Sequence, residues 1–296
     1  MRIVADFQET APFEVIEPEG QTVPFVFNSP HSGATYPADF LASSRLNARA
    51  IRRSEDCFVD ALFEPVVGLG APLMRAHFPR AFLDLNREPY ELDPAMFDGA
   101  LPPYANSRSV RVAGGLGTIA RVVADAEEIY AFRLPVSEAI HRIERLYKPY
   151  HTTLARLIGR TYARFGVAVL IDCHSMPSSE RAGDGRRRPD MVVGDRYGTS
   201  AAPGLTDAVI ALLSDLGYLV ARNRPYAGGY ITEHYGRPLK GLHAIQIEIN
   251  RGLYMDERLL KPSRGFGRLS RDLATFAEAL FPYAPSAGGA LPLAAE

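Results

Sequence analysis

The sequence predicts an α/β fold, consisting of a single domain with a central mixed, largely parallel sheet flanked by helices. Two observations favour this fold. Apolar strand-like runs alternate along the chain with helix-like runs of period 3.6. Three of the apolar runs end in a histidine or a carboxylate, as is typical of the functional edge of an open α/β sheet. We expect this domain to occupy residues 1–282 and the Ala/Gly/Pro-rich residues 283–296 to form a flexible tail.

The predicted strands are short apolar runs bounded by turn residues. The clearest is "GVAVLIDCHS", in which residues 167–172 hold a single charge. The other predicted strands are "TVPFVFNS", "APLMRAHF", "RAFLDLN", "RPDMVVGD", "LVARN" and "HAIQIEIN".

The predicted helices show apolar residues at three- and four-residue spacing. They cover about residues 48–67, 135–165, 201–218 and 268–281, with a kink at Pro149 in the second and Gly217 closing the third. Between strands and helices, residues 88–118 form a Pro/Gly-rich loop that is too long for a simple connection, which favours a functional role.

Composition excludes several classes of protein. A formal net charge of −1 gives no general attraction to nucleic acid or to an anionic membrane. No stretch approaches 18 uncharged apolar residues, and the N-terminus lacks the apolar core of a signal peptide. Two cysteines, Cys57 and Cys173, cannot form a disulfide framework. We therefore expect a soluble, cytoplasmic protein that binds neither nucleic acid nor a membrane, and the composition leaves its oligomeric state open.

Three strand ends carry residues suited to metal chemistry: His31 in "FNSPHSG", His174 in "IDCHS" and Glu248 in "IEIN". Two histidines and a carboxylate match the ligand set of a catalytic zinc site. Short-range zinc signatures such as His-Glu-x-x-His are absent, so any ligands would be scattered along the chain. A histidine at a strand end is also often a hydrogen-bonded loop residue, and the residues alone leave both interpretations open.

Asp172 precedes His174 by two residues, so both point to the same face of a strand. It is a candidate to hydrogen-bond the imidazole of a metal-binding histidine. The alternative is a carboxylate that caps a nearby loop.

The stretch "FLDLNRE" places Asp84 and Asn86 on one face of a predicted strand, with Arg87 at its end and Arg80 just ahead. The guanidinium of Arg87 is suited to gripping a substrate carboxylate through two hydrogen bonds. Equally, an Arg–Asp pair could simply close the strand end. Asp84 is, with Asp172, a candidate to hold a metal-binding residue in place without binding the metal itself.

Weaker candidates follow from the remaining motifs. Gly229 and His234 lie in "GGYITEH", where two glycines permit close approach of the backbone to a substrate. The role of His151 stays open. No Gly-x-Ser-x-Gly elbow is present, which weighs against a serine hydrolase. The segment "GGLGT" lacks the final glycine of a dinucleotide-binding loop.

Six motifs together resemble the N-formylglutamate amidohydrolase (deformylase) family. They are "SPHSG", "RAFLDLNRE", "KPYH", "IDCHSMP", "GGYITEHYGRP" and "QIEINRGLYMDE", which occur in the family's order from about Val23 to Glu257. Members of that family are zinc-dependent amidases, related in fold to carboxypeptidase-like metallo-exopeptidases. They release formate from N-formyl-L-glutamate, often as the last step of histidine degradation.

The resemblance implies specific roles. It makes His31 and His174 zinc ligands and Glu248 the general base. It also implies that Asn86 and Arg87 hold a substrate carboxylate. We further expect Arg80 to stabilise the oxyanion that forms on the substrate.

The third metal ligand departs from the pattern of the exopeptidase relatives. They use a His-x-x-Glu pair, but this chain has Ala34 three residues after His31. Asp56 in "SEDCFVD" matches the family's acidic position on the first predicted long helix and is our prediction, with Glu55 in reserve.

Two segments differ from those of the histidine-pathway enzymes, "GGLGTIARVVADAEEIY" and the Arg-rich loop "RAGDGRRRPD". The substrate could therefore be a different N-acyl amino acid or a small peptide. Two further alternatives are a non-catalytic protein that binds an acidic ligand and a metal-free hydrolase.

Overall fold

The structure is a computed structural model that describes residues 1–7, 10–123, 126–178 and 188–286. Most of the Arg-rich loop, residues 181–187, and most of the predicted tail, residues 287–296, lie outside the described residues. Within the described ranges, no helix is both long enough and apolar enough to cross a membrane.

The strands, numbered in chain order, are β1 (Arg2–Val4), β2 (Phe13–Ile16), β3 (Phe25–Ser29), β4 (Thr35–Pro37), β5 (Leu73–Ala76), β6 (Phe97–Asp98), β7 (Leu134–Pro135), β8 (Ala168–Met176), β9 (Met191–Gly194), β10 (Val220–Arg222), β11 (Leu242–Asn250), β12 (Met255–Asp256) and β13 (Lys261–Pro262). The helices are α1 (Ala38–Ser43), α2 (Val59–Phe63), α3 (Val110–Ala113), α4 (Val136–Arg142), α5 (Lys148–Phe165), α6 (Pro203–Asp215), α7 (Tyr230–Tyr235) and α8 (Phe266–Leu280).

A seven-stranded mixed sheet is the centre of the fold, in the order β10-β9-β11-β8-β3-β5-β2. The pairs β3–β8, β8–β11 and β9–β10 are parallel, while β11 and β9 are antiparallel. This confirms the predicted α/β class with a mixed, largely parallel sheet. Every residue of β8 is buried, which explains why its sequence is a nearly continuous apolar run.

The chain divides into two compact units. The first unit comprises Met1–Glu14, Pro30–Cys57 and Arg75–Leu154, and the second comprises Val15–Ser29, Phe58–Met74 and Ala155–Glu296. The predicted boundary between a domain at 1–282 and a tail stays a prediction.

In the second unit, helices flank the strands. α2 packs on β3 and β8, α6 packs on β9 and β10, and α8 contacts both of these helices. The short helix α7 also packs on β8 and β11. The predicted α6 begins with Pro203, which is suited to the first helical turn, and ends before Gly217, whose φ of 89° lies in the left-handed region.

The long helical segment of the chain is α4, a π-helical turn at Ile143–Tyr147, and α5. It matches the helix predicted at 135–165. In the π turn the Lys148 N–H donates to the Ile143 carbonyl five residues back. The kink predicted at Pro149 stays a prediction.

The helix predicted at 48–67 is wrong in its first half. A 3-10 turn at Ala50–Arg52 is followed by a loop, and helix α2 begins only at Val59. Phe58 precedes α2 with a φ of 66°, which a continuous helix cannot contain. Glu55 and Asp56 therefore lie in a loop rather than on a helix.

The strand predicted for "RAFLDLN" is also wrong. Residues 80–86 form successive turns, while the preceding β5 is confirmed. Asp84 accepts a hydrogen bond from the Asn86 backbone N–H at 2.9 Å, an Asx-type turn that competes with extended structure. Asp84 and Asn86 therefore do not share a strand face.

Candidate functional site

His31 lies two residues beyond the end of β3 and is only 1% exposed. Its Nε2 lies 2.8 Å from Oδ1 of Asp84, and its Nδ1 lies 3.6 Å from Oδ2 of Asp56. An ionised carboxylate only accepts hydrogen bonds, so Nε2 carries the proton and donates to Asp84. The lone pair of the neutral ring is then on Nδ1, the atom near Asp56.

Asp84 is buried in a strongly basic setting. Burial by itself would raise the pKa of Asp84, but the guanidinium groups of Arg87 and Arg80, together with His31, hold it well below the usual range. Arg80 donates to Oδ2 of Asp84 at 2.9 Å. The aspartate is therefore an anion that holds the ring of His31 through the contact with Nε2. Its predicted role in supporting a metal ligand stays a prediction.

The guanidinium of Arg87 donates hydrogen bonds to two nearby backbone carbonyl groups. Its Nε donates to the Leu116 carbonyl and its Nη1 to the Asn86 carbonyl, both at 2.7 Å. The Nη2 atom lies 3.6 Å from Oδ2 of Asp84. Two of the nitrogen donors of Arg87 therefore stabilise the turn at residues 84–87. Its predicted grip on a substrate carboxylate stays a prediction, as does that of the buried Asn86.

The turn that carries these residues is also held by two aromatic side chains that sequence reasoning did not assign. Tyr147 donates its hydroxyl to the Arg87 carbonyl at 2.7 Å, and His151 lies 3.0 Å from the Leu85 carbonyl. The two rings stack with centroids 4.2 Å apart. Their four-residue spacing on one helical segment was the only sequence signal of this pairing.

The two acidic candidates for the third ligand differ in their surroundings. Glu55 is bound by Arg52 through both carboxylate oxygens and accepts a hydrogen bond from the Tyr36 hydroxyl. Asp56 is fully buried, and its backbone N–H donates to the His31 carbonyl at 3.0 Å. This arrangement favours Asp56, whose carboxylate lies beside the His31 ring.

In the second unit, polar side chains form rows across the sheet. Asn28, Asp172 and Gln246 are register partners on β3, β8 and β11, and His174 pairs with Glu248 two residues further along. Residues in register on parallel strands point to the same face. All five are buried, as is unusual for polar residues unless they are hydrogen-bonded.

His174 repeats the arrangement of His31. Its Nε2 lies 2.8 Å from Oδ2 of Asp172, whose other oxygen accepts a hydrogen bond from the Asn28 amide at 2.8 Å. Asp172 therefore holds the ring with its Nε2 protonated and the lone pair on Nδ1. The hydrogen bond predicted between Asp172 and His174 is present.

Glu248 is 7% exposed and lies beside His174 in the register of β8 and β11. Its Oε1 accepts a hydrogen bond from the amide of Gln246 at 2.7 Å. Sequence reasoning missed Gln246. The available signal was a polar residue two positions before Glu248, on the same face of a predicted strand.

The two weaker candidates lie at helix α7. The Gly229 N–H donates to Oε1 of Gln246 at 2.9 Å, so this group braces a neighbour of Glu248. His234 is exposed on α7, and its Nδ1 lies 3.1 Å from the Tyr230 hydroxyl. Burial, followed by the charge of Arg237, lowers the pKa of His234. The predicted substrate contacts of both residues stay predictions.

The model of the N-formylglutamate amidohydrolase family matches residues 23–255, which include His31, Asp84, His174 and Glu248. The chain belongs to this family. The amidohydrolase family membership predicted from six short motifs is thereby confirmed.

Relatives agree with this assignment. An N-formylglutamate deformylase from Pseudomonas aeruginosa is 29% identical over 83% of this chain and 87% of its own. One from Pseudomonas putida is 29% identical over 79% of this chain and 83% of its own. The crystal structure of an N-formylglutamate amidohydrolase from Ralstonia eutropha is 39% identical, with a TM-score of 0.87 over 93% of this chain and 98% of that one.

Proposed function

We propose that this amidohydrolase cleaves the amide of N-formyl-L-glutamate, adding water to give formate and L-glutamate. Family membership and the names of the Pseudomonas relatives support this reaction class and substrate. The structural observation that carries the proposal is the repeated pairing of a buried histidine with a buried aspartate, with Glu248 in register beside one of them.

His31, Asp56 and His174 would hold one divalent metal ion, for which zinc is our prediction. Their buried side chains form a group that could hold a metal ion. The donor set fits, because metal-binding histidines usually donate their second ring nitrogen to a carboxylate, as both histidines do here. A bound ion would supply Lewis-acid chemistry, acidifying water and polarising the formyl oxygen.

Glu248 is the proposed general base. It takes a proton from the attacking water and later delivers it to the amide nitrogen as the C–N bond breaks. One oxygen of its carboxylate accepts a hydrogen bond from the amide of Gln246, which holds that oxygen in place. The water oxygen ends in formate, and glutamate leaves with its amino group restored.

The basic turn of the first unit is the proposed anchor for the acidic substrate. Arg80 would stabilise the developing oxyanion, and Asn86 with the remaining donors of Arg87 would hold a carboxylate. The partly exposed side chain of Arg80 supports its contact with a ligand, whereas Arg87 is more deeply enclosed.

The test is formate release from N-formyl-L-glutamate by purified protein before chelator dialysis, after it, and after zinc is restored. We expect activity to disappear with the metal and to return with zinc. The variant Glu248→Gln is the matched control, since it keeps the shape of the side chain but cannot accept the proton. It should lose turnover by about 10²-fold or more while still binding substrate.

Two results would contradict the proposal. Full activity after complete metal removal would show that the reaction does not require a metal ion. No formate from folded, zinc-loaded protein would show that N-formyl-L-glutamate is not the substrate. Release of the free amino acid from N-acetyl and N-succinyl amino acids would then be measured.

A further inference from the structure

Gln246 links the backbone of one loop to the carboxylate of Glu248. The Gly229 N–H donates to Oε1 of Gln246 at 2.9 Å, and Nε2 of Gln246 donates to Oε1 of Glu248 at 2.7 Å. Gln246 is 5% exposed and sits in the middle of β11. A buried glutamine in such a strand is costly unless its amide is bonded on both sides.

The orientation of this amide is determined by its partners. A backbone N–H can only donate, so the carbonyl oxygen of Gln246 must face Gly229. The amide NH₂ must then face Glu248, which accepts most strongly when ionised. The hydrogen bonds therefore select both the rotamer of Gln246 and the position of one oxygen of Glu248.

Two glycines allow the loop at residues 227–229 to come this close. Gly194 is the register partner of Gln246 on β9, and a Cβ there would lie 2.7 Å from the Ala227 carbonyl carbon. Gly228 has a φ of 112°, and a Cβ there would lie 2.4 Å from Oγ1 of Thr232. A side chain at either position would push the loop away from Gln246.

We propose that Gln246, braced by the loop at residues 227–229, is a positioning residue for Glu248. It holds Oε1 in place so that Oε2 is aimed at the water whose proton Glu248 removes. This inference rests on the proposed role of Glu248 as general base. It adds that the loop, together with Gly194 and Gly228, acts on turnover through Gln246.

The first test measures kcat and KM for Gln246→Leu, which keeps the volume and removes both hydrogen bonds. We expect kcat to fall about 10- to 100-fold with KM changed less than about twofold, because orientation matters only in the transition state. Gln21→Leu is the matched control, since Gln21 is another buried glutamine of the second unit, bonded to Thr161. It should lower stability and leave kcat unchanged.

A double-mutant cycle separates positioning from a structural role. In a Glu248→Gln background the base is gone, so adding Gln246→Leu should lower the residual rate less than twofold. A loss equal to that in the wild-type background would overturn the proposal, because Gln246 would then act independently of Glu248. An unchanged kcat in Gln246→Leu alone would overturn it as well.

The loop is tested by Gly194→Ala, with Gly159→Ala as control. A Cβ at Gly159, an exposed position of α5, meets nothing within 4 Å. We expect the first variant to reproduce the kcat loss of Gln246→Leu and to add little to it when combined. Full activity in Gly194→Ala would remove the loop from the proposal.

A further readout needs no turnover. The unfolding midpoints in urea of Gln246→Leu, Glu248→Ala and the double variant report whether the two side chains are coupled. If the wild-type protein releases no formate, the proposed function fails, yet non-additive midpoints would still support the link between Gln246 and Glu248. Additive midpoints would overturn that link whatever the substrate.

Discussion

At the scale of single residues, the two proposed metal-binding histidines share one design. Each donates from Nε2 to a buried aspartate at 2.8 Å, His31 to Asp84 and His174 to Asp172. The aspartates are themselves held, Asp84 by Arg80 and Asp172 by Asn28. The ring nitrogen left to bind a metal is therefore Nδ1 in both cases.

Asp172→Asn should weaken metal binding by about 10- to 100-fold. Asparagine can still accept from Asn28, but its NH₂ would face His174, so Nε2 of the ring must accept and the proton moves to Nδ1. The zinc dissociation constant is measured by competition with a chromogenic chelator. Asp207→Asn, at an exposed carboxylate that pairs with Arg222, is the control. An unchanged dissociation constant in Asp172→Asn would argue against His174 as a ligand.

A second pair of variants identifies the third ligand. Asp56→Asn should lose zinc affinity, since its carboxylate lies beside the His31 ring. Glu55→Gln should keep that affinity but lower the unfolding midpoint, because it weakens the buried bonds to Arg52 and Tyr36. The reverse pattern would identify Glu55 as the ligand.

At the scale of elements, the candidate groups lie on two neighbouring buried strands and in tight turns. β8 and β11 bring Asp172, His174, Gln246 and Glu248 into register within the second unit. In the first unit, the turn at residues 84–87 carries Asp84 and is fastened to Tyr147 and His151 near a π-helical turn. π-helical turns are frequent near functional sites because they shift which side chains face a neighbour.

The start of β11 should make stability depend on pH. Burial lowers the pKa of His243 to about 4, and its Nδ1 accepts a hydrogen bond from the Ala202 N–H, which only an unprotonated nitrogen can do. The unfolded chain, with a histidine pKa near 6.5, binds more protons between about pH 6.5 and pH 4. The free energy of unfolding contributed by His243 should therefore fall as pH is lowered through that window.

Urea unfolding of wild type and His243→Gln at pH 7, 6 and 5 measures this effect. Glutamine can accept from Ala202 but does not titrate, so the variant should lose less stability on acidification. His141→Gln, at an exposed histidine of α4, is the control and should follow the wild type. Equal slopes for His243→Gln and wild type would contradict the assignment.

At the scale of the whole molecule, metal binding should be linked to folding. The proposed ligands His31, Asp56 and His174 are far apart in the sequence, so the unfolded chain cannot present them together. Zinc at 100 times its dissociation constant should stabilise the folded protein by about 2.7 kcal/mol. Thermal unfolding with zinc and with chelator measures the shift. Identical melting temperatures would contradict a specific site.

The order of the amino acids was sufficient to predict the α/β class, the family and three candidate site residues, His31, His174 and Glu248. These depend on local patterns, namely apolar runs of buried strands and the polar residue that ends each run. The contact between Asp172 and His174 could also be predicted, because residues two apart on a strand point to the same face.

The side chains and backbone groups that hold these residues in place follow from the three-dimensional packing of the chain. The partner of His31 is Asp84, which lies 53 positions away in turns where the sequence pattern indicated a strand. Glu55 and Asp56 are adjacent in sequence, yet Glu55 binds Arg52, whereas the carboxylate of Asp56 lies beside the ring of His31. Gln246 meets Gly229 because Gly194 leaves room for a loop. Hydrogen bonds between distant residues depend on backbone placement, which no local sequence pattern contains.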